Sequence, residues 1–251
     1  MIRTLVVVPT HDEADNVGEV LDRVSAAVPA ADVVVIDDAS VDDTRSIVRS
    51  HVDAREPGRV RLVERHLKHG LGHAYRHGFG IALAEGYDAV VEIDADLSHD
   101  PAVLPTMLDL VGRGIDVVIG SRYVPGGSVI GWPRRRTWLS RWGNRYAAIA
   151  LGLAINDATA GYRVYRTDTL RRLETDSVRA EGYAFQIEMT YRAVVAGCSV
   201  VEVPITFRDR VAGESKLDRG IVGEAFRLVT TWAIADAVTL RRRRRAYRFH
   251  D

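Results

Sequence analysis

The sequence predicts an α/β protein, with a mainly parallel, doubly wound sheet and helices on both of its faces. Three observations carry that prediction. Short runs dominated by β-branched residues recur along the chain and read as buried strands. Stretches with apolar residues at helical spacing separate them, the alternation of a parallel sheet covered on both sides. Two of the runs end in paired carboxylates, Asp37-Asp38 and Asp94-Ala95-Asp96. In an open parallel sheet the carboxyl ends of the strands are where ligands bind.

Taken in order, Leu5–Val8 is the first strand, stopped by Pro9. Thr10-His11-Asp12-Glu13 leads into a helix with Val17, Val20, Leu21 and Val24 on one face. Val33–Ile36 is the second strand, closed by Asp37-Asp38. Ser40-Val41-Asp42-Asp43 has the Ser-x-x-acid form of a capping box and predicts a helix from Thr44 to about Ser50. Val60–Val63 is a short third strand, 72–85 a helix, and Val90–Ile93 a strand bounded by Gly86 and Ser98-His99-Asp100-Pro101. Asp94 and Asp96 stand at its tip, aimed alike by the two-residue strand period if the extended geometry persists. A helix at Leu104–Val111 and a strand at Asp116–Gly120 continue the alternation. No internal repeat or low-complexity linker interrupts it.

After Ser121-Arg122-Tyr123 the character changes. Val124–Gly131 is glycine-rich and predicts a mobile loop. Arg134–Arg145 carries five arginines and no acid, interleaved with Trp138, Leu139 and Trp142. Tyr146–Ile155 is apolar, too short to span a bilayer and suited to a buried or interfacial helix. A helix at 184–196, a strand at 200–203 and a segment at 204–216 follow. A final amphipathic helix begins at about Val222 and ends in Arg241–Arg245.

The 251 residues suffice for one large domain or two small ones, with a sizeable core. Lys+Arg 34 against Asp+Glu 34 gives a net charge of +0, so bulk charge names no partner, whereas the arginine clusters do suggest one. The single cysteine, Cys198, excludes an intrachain disulfide and favours a reducing compartment. The apolar part of the N-terminus is too short for a signal peptide, and no run approaches the ~20 apolar residues of a membrane span. The expectation is a soluble protein, or one lying on a membrane surface without crossing it.

The candidate chemistry starts at Asp94 and Asp96. Hard oxygen ligands at a sheet edge suit a divalent cation shared with phosphate groups, although Asp-x-Asp alone also describes a turn after a strand. Asp38 is placed to accept from a ribose or a base N–H. Gly70-x-Gly72 lacks the third glycine of a dinucleotide fingerprint, Tyr75 standing in its place, and reads as a loop and helix start. Arg122, Arg210 and Lys216 are candidates for neutralising a diphosphate. The arginines and tryptophans of 134–145 suit anionic lipid or a phosphorylated substrate; nucleic acid ranks below these, since no RNA-module signature appears. Arg241–Arg245 would gain about 1 kcal/mol per residue near an anionic membrane, or be a solvated helix end. No Gly-x-Ser-x-Gly or Cys/His pair suggests a hydrolase nucleophile.

The motifs form an ordered set: Val-Pro-Thr-His-Asp-Glu (8–13), Asp-Asp-Ala-Ser-Val-Asp-Asp-Thr (37–44), Asp-Ala-Asp-Leu-Ser-His (94–99) and Gly-Ser-Arg-Tyr (120–123). Gly-Tyr-Arg-Val-Tyr-Arg (161–166), Gly-Tyr-Ala-Phe-Gln-Ile-Glu-Met (182–189) and Asp-Arg-x-x-Gly-Glu-Ser-Lys-Leu (209–217) complete it. Over nearly residues 1–220 this resembles the family-2 inverting glycosyltransferases, and within them the dolichol-phosphate or polyprenol-phosphate mannose synthases. The resemblance implies a GT-A (Rossmann-like) catalytic domain over 1–220, followed by an amphipathic helix and Arg-rich tail over 221–251. It implies transfer of mannose from GDP-mannose to a polyprenyl (dolichyl) phosphate with inversion, giving a β-mannosyl phosphopolyprenol, with Mg²⁺ or Mn²⁺ as cofactor.

Carried over by position, Pro9, His11, Glu13, Ile36 and Asp38 would line the nucleotide pocket. Asp94, Ala95 and Asp96 would meet the sugar diphosphate, with Asp96 the principal metal ligand and Ser98 at the position of a second. His11 stands where a tyrosine is usual and Ser98 where some members have a glutamine. Arg122, Arg210 and Lys216 match phosphate-binding positions. Arg136, with Arg134 and Arg135 beside it, matches a basic site for the acceptor phosphate, which Arg122 would share. Asp94, Asp96 and Arg122 are the expected catalytic residues. The chain resembles the short form that lacks transmembrane helices, so peripheral binding to the cytoplasmic face of the membrane is expected. The rivals are the same acceptor class with another donor such as UDP-glucose, a non-catalytic nucleotide-sugar-binding module recruited to membranes, and a nucleic-acid binder.

Overall fold

The computed structural model describes residues 2–209, 223 and 225–235. Its strands are β1 (Thr4–Thr10), β2 (Asp32–Asp38), β3 (Val60–Arg65), β4 (Ala89–Glu92), β5 (Val117–Ser121), β6 (Ser128–Ile130), β7 (Arg163–Arg166), β8 (Val200–Pro204) and β9 (Thr206–Arg208). Seven of them form one sheet in the order β3-β2-β1-β4-β7-β5-β8, while β6 and β9 pair separately. All neighbours in the large sheet are parallel except β7, which runs antiparallel to both β4 and β5.

The strands are apolar throughout because both faces of the sheet are covered. Along β1, Leu5 and Val7 pack on one side with Val34, Ile36 and Val90, and Val6 and Val8 on the other with Val33, Val35 and Val91. The second side is closed by α1 (Val17–Ala27), which buries Val17, Val20, Leu21 and Val24, together with α2 (Thr44–Asp53). The first side receives α3 (Leu71–Ala84), while α4 (Leu104–Gly112) returns to the second. Then α5 (Arg134–Leu151), α6 (Thr167–Arg172), α7 (Gly182–Val195) and the helical residues 225–235 all contribute to the first side. Each fully buried Leu or Val adds about 1.5–3 kcal/mol.

Three local expectations change, and one strand stands where none was expected. Pro9 does not stop β1: it pairs opposite Ile36, and Thr10 opposite Asp37. On the other side the ladder with β4 has already ended at Val7↔Glu92, so the proline sits where pairing continues on one side only. The capping box is not formed. Asp43 makes no side-chain cap; Asp42 Oδ1 accepts from the Thr44 amide instead, and Ser40 Oγ turns back to Asp37. The expected loop at 124–131 contains β6, which pairs with β9 between left-handed turns at Gly126 and Gly131. The unexpected strand is β7, inside the sheet between β4 and β5 although its sequence, Arg-Val-Tyr-Arg, has charged ends. Among the described residues no helix is long and apolar enough to cross a membrane. Arg210, Lys216 and Arg241–Arg245 lie outside the described residues.

Candidate active site

A cavity of about 490 Å³ opens at the carboxyl edge of the sheet. The tip of β1 supplies Pro9, His11 and Glu13, the tip of β2 supplies Asp38, and the turn after β4 supplies Asp94, Ala95, Asp96, Ser98 and His99. Arg122 follows β5 and Arg136 comes from the first turn of α5. Because β7 is antiparallel, it is the loop entering it, Thr159-Ala160-Gly161, that reaches this edge. The N-terminal end of α7 closes the cavity with Tyr183 and Gln186.

The two carboxylates of Asp-Ala-Asp do not continue the strand. β4 ends at Glu92, the chain bends at 95–97, and Leu97 takes a left-handed φ of 61°. Both still wall the same cavity. Tyr75 Oη donates to Asp94 Oδ1 at 3.1 Å, and His99 Nδ1 lies 3.8 Å from Asp94 Oδ2. A Cβ at Gly161 would sit 3.5 Å from the same Oδ2, so the glycine keeps the wall beside Asp94 low. Asp96 is buried and accepts from the Ser98 amide at 3.0 Å. The Ser98 hydroxyl is buried with no protein partner. An acidic side chain and an orphaned hydroxyl two residues on are hard oxygen donors, and they fit Mg²⁺ or Mn²⁺ with substrate phosphates completing the shell. Among the described residues no cluster of three or more His, Cys, Asp or Glu side chains is arranged to hold a metal alone.

Arg122 is fixed from behind. Its Nε and Nη2 grip Asp157 Oδ2 and Oδ1 at 2.7 and 2.6 Å, and Nη2 also donates to Thr159 Oγ1 at 2.9 Å. Burial would raise the Asp157 carboxyl, but Arg122 outweighs it and holds the group below the usual carboxylate range. Arg136 donates to Asp209 at 3.1 Å and stacks over Trp132. Two buried groups are neutralised by their surroundings. Burial pushes Glu92 up to about 8, with Arg163 and a hydrogen bond from Gln186 offsetting part of the effect. Burial, with Arg122 adding to it, pushes His99 down to about 4, so its ring is neutral at neutral pH.

At the tip of β2, both Asp38 oxygens take backbone amides, from His69 and Gly70, at 2.9–3.1 Å. The residue therefore braces the 69–70 loop while it walls the cavity. His11 Nδ1 lies 2.8 Å from the Asp38 carbonyl. Ile36, expected in the pocket, is fully buried in the core. Arg134 and Arg135 are exposed and stand outside the cavity wall. Lys68, Trp132, Thr159, Tyr183 and Gln186 line the cavity without having been singled out from the sequence. For Gln186 a signal existed, a polar residue amid the buried face of an apolar helix.

A second, apolar groove of about 110 Å³ runs between α5 and the 225–235 helix. Trp142, Tyr146 and Phe226 stack along it, and Trp132, Arg136, Thr159 and Tyr183 form a wall common to groove and cavity. Trp142 in its wall is 46% exposed, and Trp138, on the same helix, 66%.

Comparison with known proteins adds to this geometry. The family model described as glycosyl transferase family 2 matches residues 5–174. The chain is 47% identical to an undecaprenyl-phosphate mannosyltransferase of Micrococcus luteus, over 93% of this chain and 95% of that one. It is 45% identical to a polyprenol monophosphomannose synthase of Mycolicibacterium smegmatis, over 92% and 87%. Among solved structures, it superposes with a TM-score of 0.68 on glucosyl-3-phosphoglycerate synthase from Mycobacterium tuberculosis in complex with Mn²⁺, UDP and phosphoglyceric acid. That match covers 92% of this chain and 78% of the other, at 20% identity, and speaks for the fold.

Proposed function

Since the chain belongs to glycosyl transferase family 2 and is a glycosyltransferase of GT-A fold, we propose that it transfers mannose from GDP-mannose to a polyprenyl phosphate with inversion. One observation carries the acceptor: the polar cavity with its carboxylates and arginines lies against an apolar groove, the two sharing a wall. A phosphate head fits the first and an isoprenoid chain the second. The activities of the two bacterial relatives, both polyprenyl-phosphate mannosyl enzymes, support the same acceptor class. The GDP-mannose donor rests on the ordered motifs.

In this reading Arg122, braced by Asp157, and Arg136, braced by Asp209, receive the acceptor phosphate. Such a phosphate has a second pKa of about 6 and is largely ionised at neutral pH. Its oxygen attacks the anomeric carbon, a new C–O bond forms there, and the bond to the nucleoside diphosphate breaks from the opposite face. No strong general base is needed, in keeping with the weak basicity that burial gives His99. Asp94, oriented by Tyr75, faces the sugar. Asp96 and Ser98 would hold the divalent cation, which supplies Lewis-acid neutralisation of charge on the departing diphosphate. By their motif, Arg210 and Lys216 serve the same charge.

The test is transfer of labelled sugar to a polyprenyl phosphate, with GDP-mannose and UDP-glucose offered separately, with Mg²⁺, Mn²⁺ or EDTA. Metal-dependent lipid product from GDP-mannose alone is the expected result. Product only from UDP-glucose would overturn the donor and keep the acceptor. No lipid product from either would overturn the reading. Asp96→Ala is expected to abolish turnover at saturating metal; near-normal turnover would remove Asp96 as the metal ligand.

A further inference from the structure

Thr159 is a minor residue in the chemistry above, yet its hydroxyl is fully used. Oγ1 accepts from Asn144 Nδ2 at 3.0 Å and from Arg122 Nη2 at 2.9 Å, and donates to Asp157 Oδ1 at 3.3 Å. One donor and two acceptor sites are all that a hydroxyl has. The Thr159 amide in turn donates to Asn144 Oδ1 at 3.1 Å, so Asn144 and Thr159 hold each other through two bonds. Asn144 is buried on α5, and its Nδ2 also donates to the Ser140 carbonyl one turn back. A second strut reaches α5 from the end of β5: Tyr123 Oη, beside Arg122 in sequence, donates to Ser140 Oγ at 2.7 Å.

The helix held in this way is an unusual one. α5 places Arg136 in the polar cavity, Leu139 and Trp142 in the wall of the apolar groove, and Trp138 in solvent. Thr159 stands where cavity and groove share a wall. A bidentate Arg122–Asp157 pair fixes the guanidinium plane against one loop only. The hydroxyl belongs to that same loop, but it also accepts from Asn144, and so links the guanidinium to the helix that carries the exposed aromatics.

We propose that Thr159 is a positioning residue whose hydroxyl, through Asn144, ties α5 to the Arg122 guanidinium, so that engagement of the lipid-facing helix sets the phosphate-binding geometry. The inference rests on the proposed acceptor and deepens it.

Thr159→Val removes the hydroxyl and keeps the shape, and every partner retains another bond: Asn144 to Ser140, Arg122 to Asp157. Thr159→Ser keeps the hydroxyl, and Asn144→Ala cuts the arm to α5. Two acceptors separate the effects, a polyprenyl phosphate embedded in phosphatidylcholine–phosphatidylglycerol vesicles and a short-chain, water-soluble prenyl phosphate. In Thr159→Val, kcat is expected to fall about tenfold or more on both acceptors while the donor KM stays within about twofold. Thr159→Ser should return to near wild-type rates. Asn144→Ala should lose about tenfold on the embedded acceptor and far less on the soluble one.

A Thr159→Val enzyme as fast as wild type overturns the proposal, and so does a Thr159→Ser enzyme as slow as Thr159→Val. Equal losses for Asn144→Ala on both acceptors overturn the tie to α5. Affinity for the soluble prenyl phosphate, read by calorimetry, needs no turnover. Wild-type binding without transfer would overturn the proposed reaction, while weaker binding by Thr159→Val would still uphold the positioning role and equal binding would overturn it.

Discussion

Glu92 shows what a single buried carboxyl does to the pH dependence of the fold. Burial raises it from 4.5 to about 8. Between those values the folded protein keeps a proton that the unfolded chain has released. Stability therefore declines as pH rises across that window and levels off above it. The two ends differ by a few kcal/mol, at about 1.4 kcal/mol per unit of displacement. In Glu92→Gln the slope should flatten and the variant should outlast wild type at pH 8, as read by urea denaturation across a pH series. Asp157 acts in the opposite sense, since Arg122 beside it is only 5% exposed and needs the charge. Asp157→Asn is expected to cost about 3–5 kcal/mol, visible as a lowered Tm. These two residues also mark the limit of reading at this scale. Asp94, Asp96 and Arg122 are legible because they follow apolar strands. Asp157 and Thr159 are not, because a loop entering an antiparallel strand has no local signature and their partner lies 35 and 37 residues away.

At the scale of elements, α3 rides directly on β1. A Cβ at Gly78 would come within 2.5 Å of Val7 Cγ1, far inside contact distance. Gly78→Ala should force the two apart and cost about 1–3 kcal/mol in a denaturant titration. The same helix carries Tyr75, so the site depends on that close approach. Tyr75→Phe should keep the fold and slow transfer about fivefold, the worth of one hydrogen bond to Asp94. The parallel strands and their helices are legible because burial on both faces leaves an unbroken apolar run. β7 escapes that rule: its Arg163 is wholly buried by donating to the Ala160 and Ala158 carbonyls, so a charged letter hides a core position. Pro9 and the missing capping box fail for a related reason, since neighbouring strands and the Asp37–Ser40 contact decide them, not local preference.

Over the whole molecule the net charge is +0 and says nothing, while its distribution says a good deal. Exposed Trp138 and Trp142 share α5 with the exposed Arg134, Arg135, Arg141 and Arg145. Aromatics beside cations favour the interface of an anionic bilayer. The double variant Trp138→Ala, Trp142→Ala should lose most of its flotation with anionic vesicles and keep its affinity for the donor nucleotide. Unchanged flotation would move the docking surface elsewhere. The ordered motifs reveal the family, but the groove needs α5 and the 225–235 helix side by side, and Tyr146 meets Thr230 across 84 residues of chain. No spacing in the sequence reports that.

The reversed strand in the middle of the sheet also orders events during synthesis. β4 has β1 on one side and only β7 on the other, and β5 has only β7 and β8. Until residue 166 has left the ribosome, β4 offers an open apolar edge and β5 has no neighbour at all. Open edges of that kind recruit strands from other chains. A nascent chain ending near residue 160 should thus hold β1–β4 alone and aggregate readily, and six further residues should close the seam.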